Sequence, residues 1–154
     1  MRALIQRVNR ASVTVNQSSI AAIQRGLLVF VGVGEGDTED DARYIVDKTV
    51  NLRIFPDADG KFDRSALDEH LELLVVSQFT LYADTRRGRR PGFSSAAMPD
   101  LARTLFERTV ALFRDTTLTV ATGQFAADMK VELVNDGPVT IWLDSAERHA
   151  PRNG

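Results

Sequence analysis

The chain has 154 residues, of which 44% are hydrophobic, and a formal net charge of -2. This length suits a single domain, and this apolar content excludes an intrinsically disordered chain. The absence of cysteine excludes a disulfide scaffold and a cysteine nucleophile, and no apolar run is long enough to span a membrane. We therefore expect a cytoplasmic protein with no membrane partner.

The first half of the chain predicts strands followed by a helix. Residues 3–8 and 12–15 have the composition of strands, and the second segment also alternates with period two. Residues 27–31 form a continuous apolar run, which is typical of a strand buried on both faces. The run Thr38-Glu39-Asp40-Asp41 has the form of a capping box, and apolar residues at helical spacing after it predict a helix.

The second half of the chain alternates between strands and a helix in the same way. A short strand at 53–55 leads into the turn residues 56–60, and a second buried strand runs into the segment 77–81. Pro99 suits the first turn of a second helix, which carries a wide apolar stripe. Three strands are predicted to close the chain, at residues 117–122, 129–135 and 139–143.

This order of elements predicts an α/β fold in which two helices pack on one mixed sheet. We expect one domain over residues 1–147 and a polar C-terminal tail over residues 148–154. The two histidines, His70 and His149, do not lie in a metal-ligand spacing, so no metal site is predicted.

Gly32, Gly34 and Gly36 follow a predicted strand and precede a helix, the arrangement in which nucleotide-binding folds cradle a pyrophosphate. Asp37 stands where the dinucleotide fingerprint needs its third glycine, and no Gly-Lys-Ser/Thr follows. Acidic side chains at this position would also repel phosphate. A plain strand-to-helix turn is therefore favoured over a nucleotide site, and no cofactor is expected.

The segment Ser77-Gln78-Phe79-Thr80 directly follows a fully apolar strand. Backbone N–H groups leave the ladder at the end of a strand, and there they can face a developing oxyanion. The Thr80 hydroxyl is a candidate nucleophile, but no base lies near it in sequence. The residues alone favour a structural role for this segment, with a catalytic role as the alternative.

The segment Asn135-Asp136-Gly137-Pro138-Val139-Thr140 stands between the last two predicted strands, and its composition favours a hairpin turn. A Gly-Pro bond also permits a cis peptide, which would aim two consecutive carbonyl groups at a ligand. The hairpin interpretation is the favoured one, and the ligand-facing turn is its alternative.

One dense positive cluster stands out in the sequence. It consists of Arg86, Arg87, Arg89 and Arg90 in a polar loop. The planar guanidinium group is well suited to phosphate, so this cluster predicts either a solvated loop or a contact with a phosphate backbone.

The two segments 77–81 and 135–140, taken together, resemble the motif pair of the D-aminoacyl-tRNA deacylases. The resemblance covers nearly the whole chain and includes residues 3–13, 44–55, 83–91 and 122–129. It implies a partly barrel-like sheet and a hydrolase that cleaves the ester joining a D-amino acid or glycine to tRNA. It also implies that the enzyme rejects L-aminoacyl esters.

The resemblance further implies a homodimer whose active sites lie at the subunit interface. Ser77-Gln78-Phe79-Thr80 of one subunit would line the pocket for the aminoacylated 3′ adenosine. Gly137-Pro138 of the other subunit would be cis, and its carbonyl groups would accept the substrate ammonium group and collide with an L side chain. Arg7 would hold that motif in place, and Phe125 and Ala126 would lie near the adenosine.

Two groups are candidates for driving the hydrolysis: the Thr80 hydroxyl and the 2′-hydroxyl of the terminal ribose of the tRNA. Because no base is found for Thr80, we prefer the answer implied by the resemblance: the 2′-hydroxyl of the terminal ribose positions or activates water. Backbone N–H groups around Phe79 and Thr80 would stabilise the oxyanion.

The expected partners are D-aminoacyl-tRNA, glycyl-tRNA and a second copy of the chain, with no DNA. The alternative from another class is a non-catalytic tRNA-binding module. It is disfavoured because the chain lacks the aromatic stacking motifs of common RNA-recognition folds.

Overall fold

The computed structural model describes residues 1–151, and this part of the chain contains eight strands and two α-helices. The strands are β1 (Arg2–Val15), β2 (Ser18–Ile23), β3 (Gly26–Gly32), β4 (Phe55–Pro56), β5 (Phe62–Arg64), β6 (Glu72–Ser77), β7 (Thr119–Thr122) and β8 (Lys130–Asp144). The helices are α1 (Glu39–Asn51) and α2 (Pro99–Arg114), and short 3₁₀ turns cover Phe79–Tyr82 and Ser145–His149. Within residues 1–151, neither helix has the length and apolarity needed to cross a membrane.

Six of the strands form one mixed sheet that curls toward a barrel. β1 pairs antiparallel with β8 along one edge, and with β3 and then β2 along the other. β6 pairs parallel with both β3 and β7, so that each helix lies in a crossover connection. The outer strand β2 approaches β6 and β7 and nearly closes the sheet. The expected partly barrel-like α/β fold with two helices is confirmed.

The central strands bury both of their faces and thereby divide the interior into two cores. Leu27 and Val29 of β3 pack in the core that contains the helix side chains, whereas Leu28 packs in the core inside the curled sheet. β6 alternates in the same way. The predicted strand at 27–31 is therefore confirmed as a strand buried on both faces, and this burial explains why its sequence is a continuous apolar run.

Two pairs of predicted strands are each one continuous strand. Residues 3–8 and 12–15 both belong to β1, and residues 129–135 and 139–143 fall almost entirely within β8. In the pairing of β1 with β8, Val8 lies opposite Asn135 and Gln6 lies opposite Thr140. The segment 136–139 is therefore a bulge in one strand, flanked on both sides by the same partner. The hairpin interpretation of residues 135–140 is wrong.

The start of α1 and the last described turn meet at Asp41. The backbone N–H of Thr38 donates to the Asp41 carboxylate at 2.8 Å, which confirms the predicted capping box. Arg148, which the sequence places in the polar tail, belongs to the 3₁₀ turn Ser145–His149 and forms an ion pair with Asp41. Residues 152–154 of that predicted tail lie outside the described residues.

The environment of Asp41 favours its charged form. Burial raises the pKa of the Asp41 carboxyl group, but hydrogen bonds from Thr38 and Ser145 and the positive charge of the Met1 ammonium group outweigh it. The net result lowers this pKa from 3.8 to about 2. The ionised carboxylate therefore stabilises the fold at neutral pH.

We expect acid to remove this stabilisation. A carboxyl group whose pKa is lowered by folding stabilises the protein above its unfolded pKa of 3.8, and this contribution is lost as the pH falls through about 2. Between about pH 6 and about pH 2, the free energy of unfolding should fall by about 2 kcal/mol from Asp41 alone. Urea unfolding at both pH values measures the change, and Asp41→Asn is the matched control. Equal pH dependence in the two proteins would contradict the expectation.

Candidate active site

A cavity of about 690 Å³ opens between the end of β6, the start of α2 and the turn at residues 123–127. Its walls are mostly apolar and include Val31, Val76, Phe93, Met98, Ala102 and Phe106. The predicted site residues Ser77, Gln78, Phe79, Phe125 and Ala126 all line it. This volume and this mixture of apolar walls with a few polar groups are typical of a small-molecule site.

The segment Ser77-Gln78-Phe79-Thr80 leaves the sheet at the rim of this cavity. Gln78 N–H makes the last ladder contact, to the Val31 carbonyl at 2.8 Å, and a 3₁₀ turn then begins at Phe79. Within residues 1–151, the N–H groups of Phe79 and Thr80 donate to no protein acceptor. A strand that passes into a tight turn thus leaves two backbone donors next to the cavity.

The Thr80 side chain has no base beside it. Its hydroxyl oxygen accepts a hydrogen bond from the Gln78 side-chain amide, and the residue is exposed rather than part of the cavity wall. Phe79 is also 57% exposed, and its ring packs edge-on against Phe93 at 5.0 Å between centroids. The structure therefore brings Ser77, Gln78 and Phe79 to the cavity and leaves the Thr80 hydroxyl at its edge.

The glycines after β3 allow the 3₁₀ turn to pack closely on the sheet. A Cβ atom at Gly32 would lie 2.9 Å from the Gln78 carbonyl oxygen, and one at Gly34 would lie 2.6 Å from the Tyr82 ring. The Tyr82 hydroxyl reaches Asp37 at 3.3 Å, and Asp37 in turn accepts the Gly34 N–H at 2.6 Å. The glycine segment is thus a strand-to-helix turn, as favoured from the sequence, and it also supports the cavity rim.

Arg2 fastens the same 3₁₀ turn from the other side of Tyr82. Its guanidinium group donates to the Leu81 carbonyl at 3.0 Å and to Asp144 at 3.0 Å, and it stacks 4.4 Å from the centre of the Tyr82 ring. Burial first, and then the negative charges of Asp37 and Asp144, raise the pKa of the Tyr82 phenol well above its usual value. Tyr82 therefore stays neutral, and it is a packing residue of the rim.

Phe125 is held in the cavity wall by a tight turn between β7 and β8. Ala127 N–H closes this turn onto the Gln124 carbonyl, and Ala126 adopts a left-handed conformation with φ of 61°. The Phe125 ring packs against Phe106 at 5.9 Å, and the Arg103 guanidinium group lies 4.6 Å from its centre. Arg103 was not identified from the sequence, because only the fold brings α2 beside this turn.

Gly137 and Pro138 lie exposed at the tip of the β8 bulge and do not line the cavity of their own chain. The peptide bond between them is cis. Arg7, which is buried, lies beneath the tip: its side chain donates to the Asp136 carbonyl at 3.2 Å and pairs with the Asp136 carboxylate. Asn135 bonds to the Arg7 and Val139 carbonyl groups and closes the base of the bulge.

The arginine cluster lies in a loop closed by paired backbone bonds between Asp84 and Gly92. Arg86 forms a two-pronged contact with Asp84, at 2.9 and 2.7 Å, which holds the pKa of that carboxyl group well below its usual range. The charge of Arg86 is thus neutralised locally. Arg87, Arg89 and Arg90 are exposed and make no ion pair within residues 1–151.

Part of the cavity wall comes from residues that the sequence pattern does not single out. Phe93 belongs to the arginine-rich loop, and Met98, Ala102 and Phe106 belong to the first turns of α2. The spacing of Ala102 and Phe106 is the signal that a helix presents one face, but that face is equally typical of a buried core. Their place in the wall follows only from the packing of α2 against the sheet.

Comparison with known proteins identifies the class of this enzyme. A family model described as D-Tyr-tRNA(Tyr) deacylase matches residues 4–144. D-aminoacyl-tRNA deacylases from Roseiflexus sp. (strain RS-1) and Thermotoga petrophila are each 57% identical to the chain. The first match covers 99% of both proteins, and the second covers 96% of this chain and 99% of its relative.

Two solved structures have the same architecture. One, described as a c-Myc DNA unwinding element binding protein, superposes with a TM-score of 0.89 at 40% identity and covers 94% of this chain and 98% of its own. The other, described as a probable eukaryotic D-amino acid tRNA deacylase, superposes with a TM-score of 0.80 over 92% of this chain and 97% of its own. At 16% identity, the second likeness concerns the fold alone.

These relatives define a hydrolase that acts on ester bonds. The chain belongs to the D-Tyr-tRNA(Tyr) deacylase family. The family suggested by the two sequence motifs is therefore confirmed, and so is the enzyme class with an aminoacyl-tRNA as substrate.

Proposed function

We propose that the enzyme removes D-amino acids, and also glycine, from the 3′ end of tRNA and spares L-aminoacyl-tRNA. The observation that carries this proposal is the separation of two parts of one chain. The cavity is lined by Ser77, Gln78 and Phe79, whereas Gly137 and Pro138 are exposed on a bulge outside it. A filter made by these two residues must therefore act on the cavity of a second copy.

The proposed assembly is a cytoplasmic homodimer in which each bulge enters the cavity of the other subunit. Exposed apolar side chains around the first turn of α2 support it, because Met98, which lines the cavity, is 72% exposed and Leu101 is 68% exposed. Apolar surface of this kind is commonly covered by a partner. Arg7 and Asn135 hold the bulge from below, so its carbonyl groups keep a fixed direction.

Carbonyl groups held in this way discriminate between enantiomers by their position. They accept hydrogen bonds from the substrate ammonium group, and they occupy the space into which an L side chain would project. A D side chain points away from them, and glycine has no side chain. The filter therefore excludes the L enantiomer and does not distinguish one D-amino acid from another.

Hydrolysis needs a water molecule and an oxyanion site. In the proposed reaction, water oxygen bonds to the ester carbonyl carbon, the bond to the ribose 3′-oxygen breaks, and that oxygen takes up a proton. The free N–H groups of Phe79 and Thr80 stabilise the negative oxygen of the intermediate. The neighbouring 2′-hydroxyl of the ribose positions the water, since no base lies beside Thr80.

The deciding experiment is a time course with D-Tyr-tRNA, Gly-tRNA and L-Tyr-tRNA at catalytic enzyme concentration. We expect rapid loss of the first two esters and survival of the third. Cleavage of all three would leave a deacylase without the proposed filter. Survival of all three, with tRNA still bound, would favour a non-catalytic tRNA-binding module and contradict the proposal.

A parallel DNA-binding measurement tests the expectation that DNA is not a partner.

A further inference from the structure

A second cavity adjoins the first along the Phe125 turn. It has a volume of about 380 Å³ and is lined by α2 and by residues 122–125. Phe106 and Phe125 belong to the walls of both cavities. The two cavities therefore share part of one wall, and a ligand bound near Phe125 in the first cavity lies beside the second.

The second cavity has a positive wall. Arg103 and Arg114 line it from α2, together with one carboxylate, Glu107. Neither arginine forms an ion pair within the described part of the chain, whereas Arg108 of the same helix is paired with Glu39. The stacking of Arg103 on the Phe125 ring places one guanidinium group at the junction of the two cavities.

We propose that this second cavity binds the phosphodiester group on the 5′ side of the terminal adenosine, with Arg103 and Arg114 as its anionic contacts. The inference rests on the proposed function, because an adenosine bound near Phe125 must connect through its 5′ phosphate to the rest of the tRNA. Guanidinium groups bind phosphate oxygens through paired hydrogen bonds. Glu107 weakens the same site by repulsion.

Arg114→Gln is the most informative variant, because it is Arg103, and not Arg114, that stacks on the Phe125 ring. We expect it to lower kcat/KM for D-aminoacyl-tRNA by roughly 3- to 10-fold through a higher KM. D-aminoacyl-adenosine, which lacks the phosphodiester, should be hydrolysed at the wild-type rate. The slope of log kcat/KM against log salt concentration should shrink by about 0.7 for the lost contact.

Two further variants test whether the effect depends on the sign of the charge that is removed and on its position in the cavity. Glu107→Gln should raise kcat/KM for the tRNA substrate, because it removes a repulsive charge from the same wall. Arg108→Gln removes the same charge from α2 outside the cavity and should behave as wild type. If Arg114→Gln matched Arg108→Gln, or if it slowed both substrates equally, the inference would be overturned.

Binding of uncharged tRNA provides a readout that does not depend on hydrolysis. We expect Arg114→Gln to weaken this binding, measured by fluorescence anisotropy, while Arg108→Gln leaves it unchanged. If the wild-type enzyme hydrolysed no D-aminoacyl ester but Arg114→Gln still lost tRNA affinity, the proposed function would fail and the phosphate site would stand. Equal tRNA affinity in both variants would overturn the phosphate site alone.

Discussion

A D-aminoacyl-tRNA that ends in 2′-deoxyadenosine should be cleaved roughly 100-fold more slowly, or worse, than its natural counterpart, whereas Thr80→Ala should keep most of the wild-type activity. The physical reason is the surroundings of Thr80. Its hydroxyl is exposed, and it accepts a hydrogen bond from the Gln78 side chain, which is no base. The ribose 2′-hydroxyl, by contrast, stands next to the scissile ester in every natural aminoacyl-tRNA.

The measurement is single-turnover cleavage of both substrates by wild type and by Thr80→Ala. Single-turnover rates at saturating enzyme separate the chemical step from binding. The deoxy substrate should bind with nearly unchanged affinity, which is the internal control. If Thr80→Ala lost all activity with its fold intact, Thr80 would become the nucleophile and the role of the 2′-hydroxyl would have to be abandoned.

Gly137→Ala should collapse the discrimination between D and L substrates. Gly137 has a φ of 117°, and a Cβ atom there would lie 2.8 Å from the Arg7 guanidinium group and 3.0 Å from the Val139 side chain. Either the tip of the bulge or the buried Arg7 guanidinium group that supports it must move to relieve this contact, and both changes alter the position of the tip. A displacement of about 1 Å can change a rate by roughly 100-fold, so the ratio of D to L cleavage should fall by about that factor.

A matched variant shows whether position or strain is responsible. Gly36 also has a positive φ, of 81°, but a Cβ atom there would meet nothing within 4 Å. Gly36→Ala should therefore introduce similar backbone strain and leave the ratio of D to L cleavage unchanged. Comparable selectivity in Gly137→Ala and wild type would show that the tip of the bulge does not form the filter.

The sequence predicts those parts of the fold whose signal is local. The signals for the capping box at Thr38 and for the buried strands β3 and β6 each lie within a short contiguous stretch of sequence. The structure has these elements where they are expected. β2 escapes prediction because its residues are small and mostly exposed, so they show no clear alternation. The sequence also does not show that β8 is one continuous strand. Turn-forming residues interrupt its alternating pattern, although its pairing with β1 continues on both sides of them.

The candidate site follows the same division. The contiguous segment Ser77-Gln78-Phe79 is a visible candidate because it directly follows an apolar strand, but the residues alone favour a structural role, and only the resemblance implies that it lines the pocket. Phe106 and Arg103 were not identified, since their spacing is that of any amphipathic helix and their neighbours across the cavity are far away in sequence. The role of Tyr82 was equally hidden, because Gly34 and Asp37 reach it only after α1 has folded back.

The bulge that carries Gly137 and Pro138 is embedded in a strand that is paired to β1 before and after it. It therefore differs from a lid, which opens and closes independently of the domain and can limit the rate of turnover. The two ends of the bulge separate from β1 only if the β1–β8 ladder breaks, and that event belongs to the unfolding of the whole domain. In the proposed homodimer, discrimination between D and L substrates should accordingly persist on warming for as long as both subunits stay folded and associated.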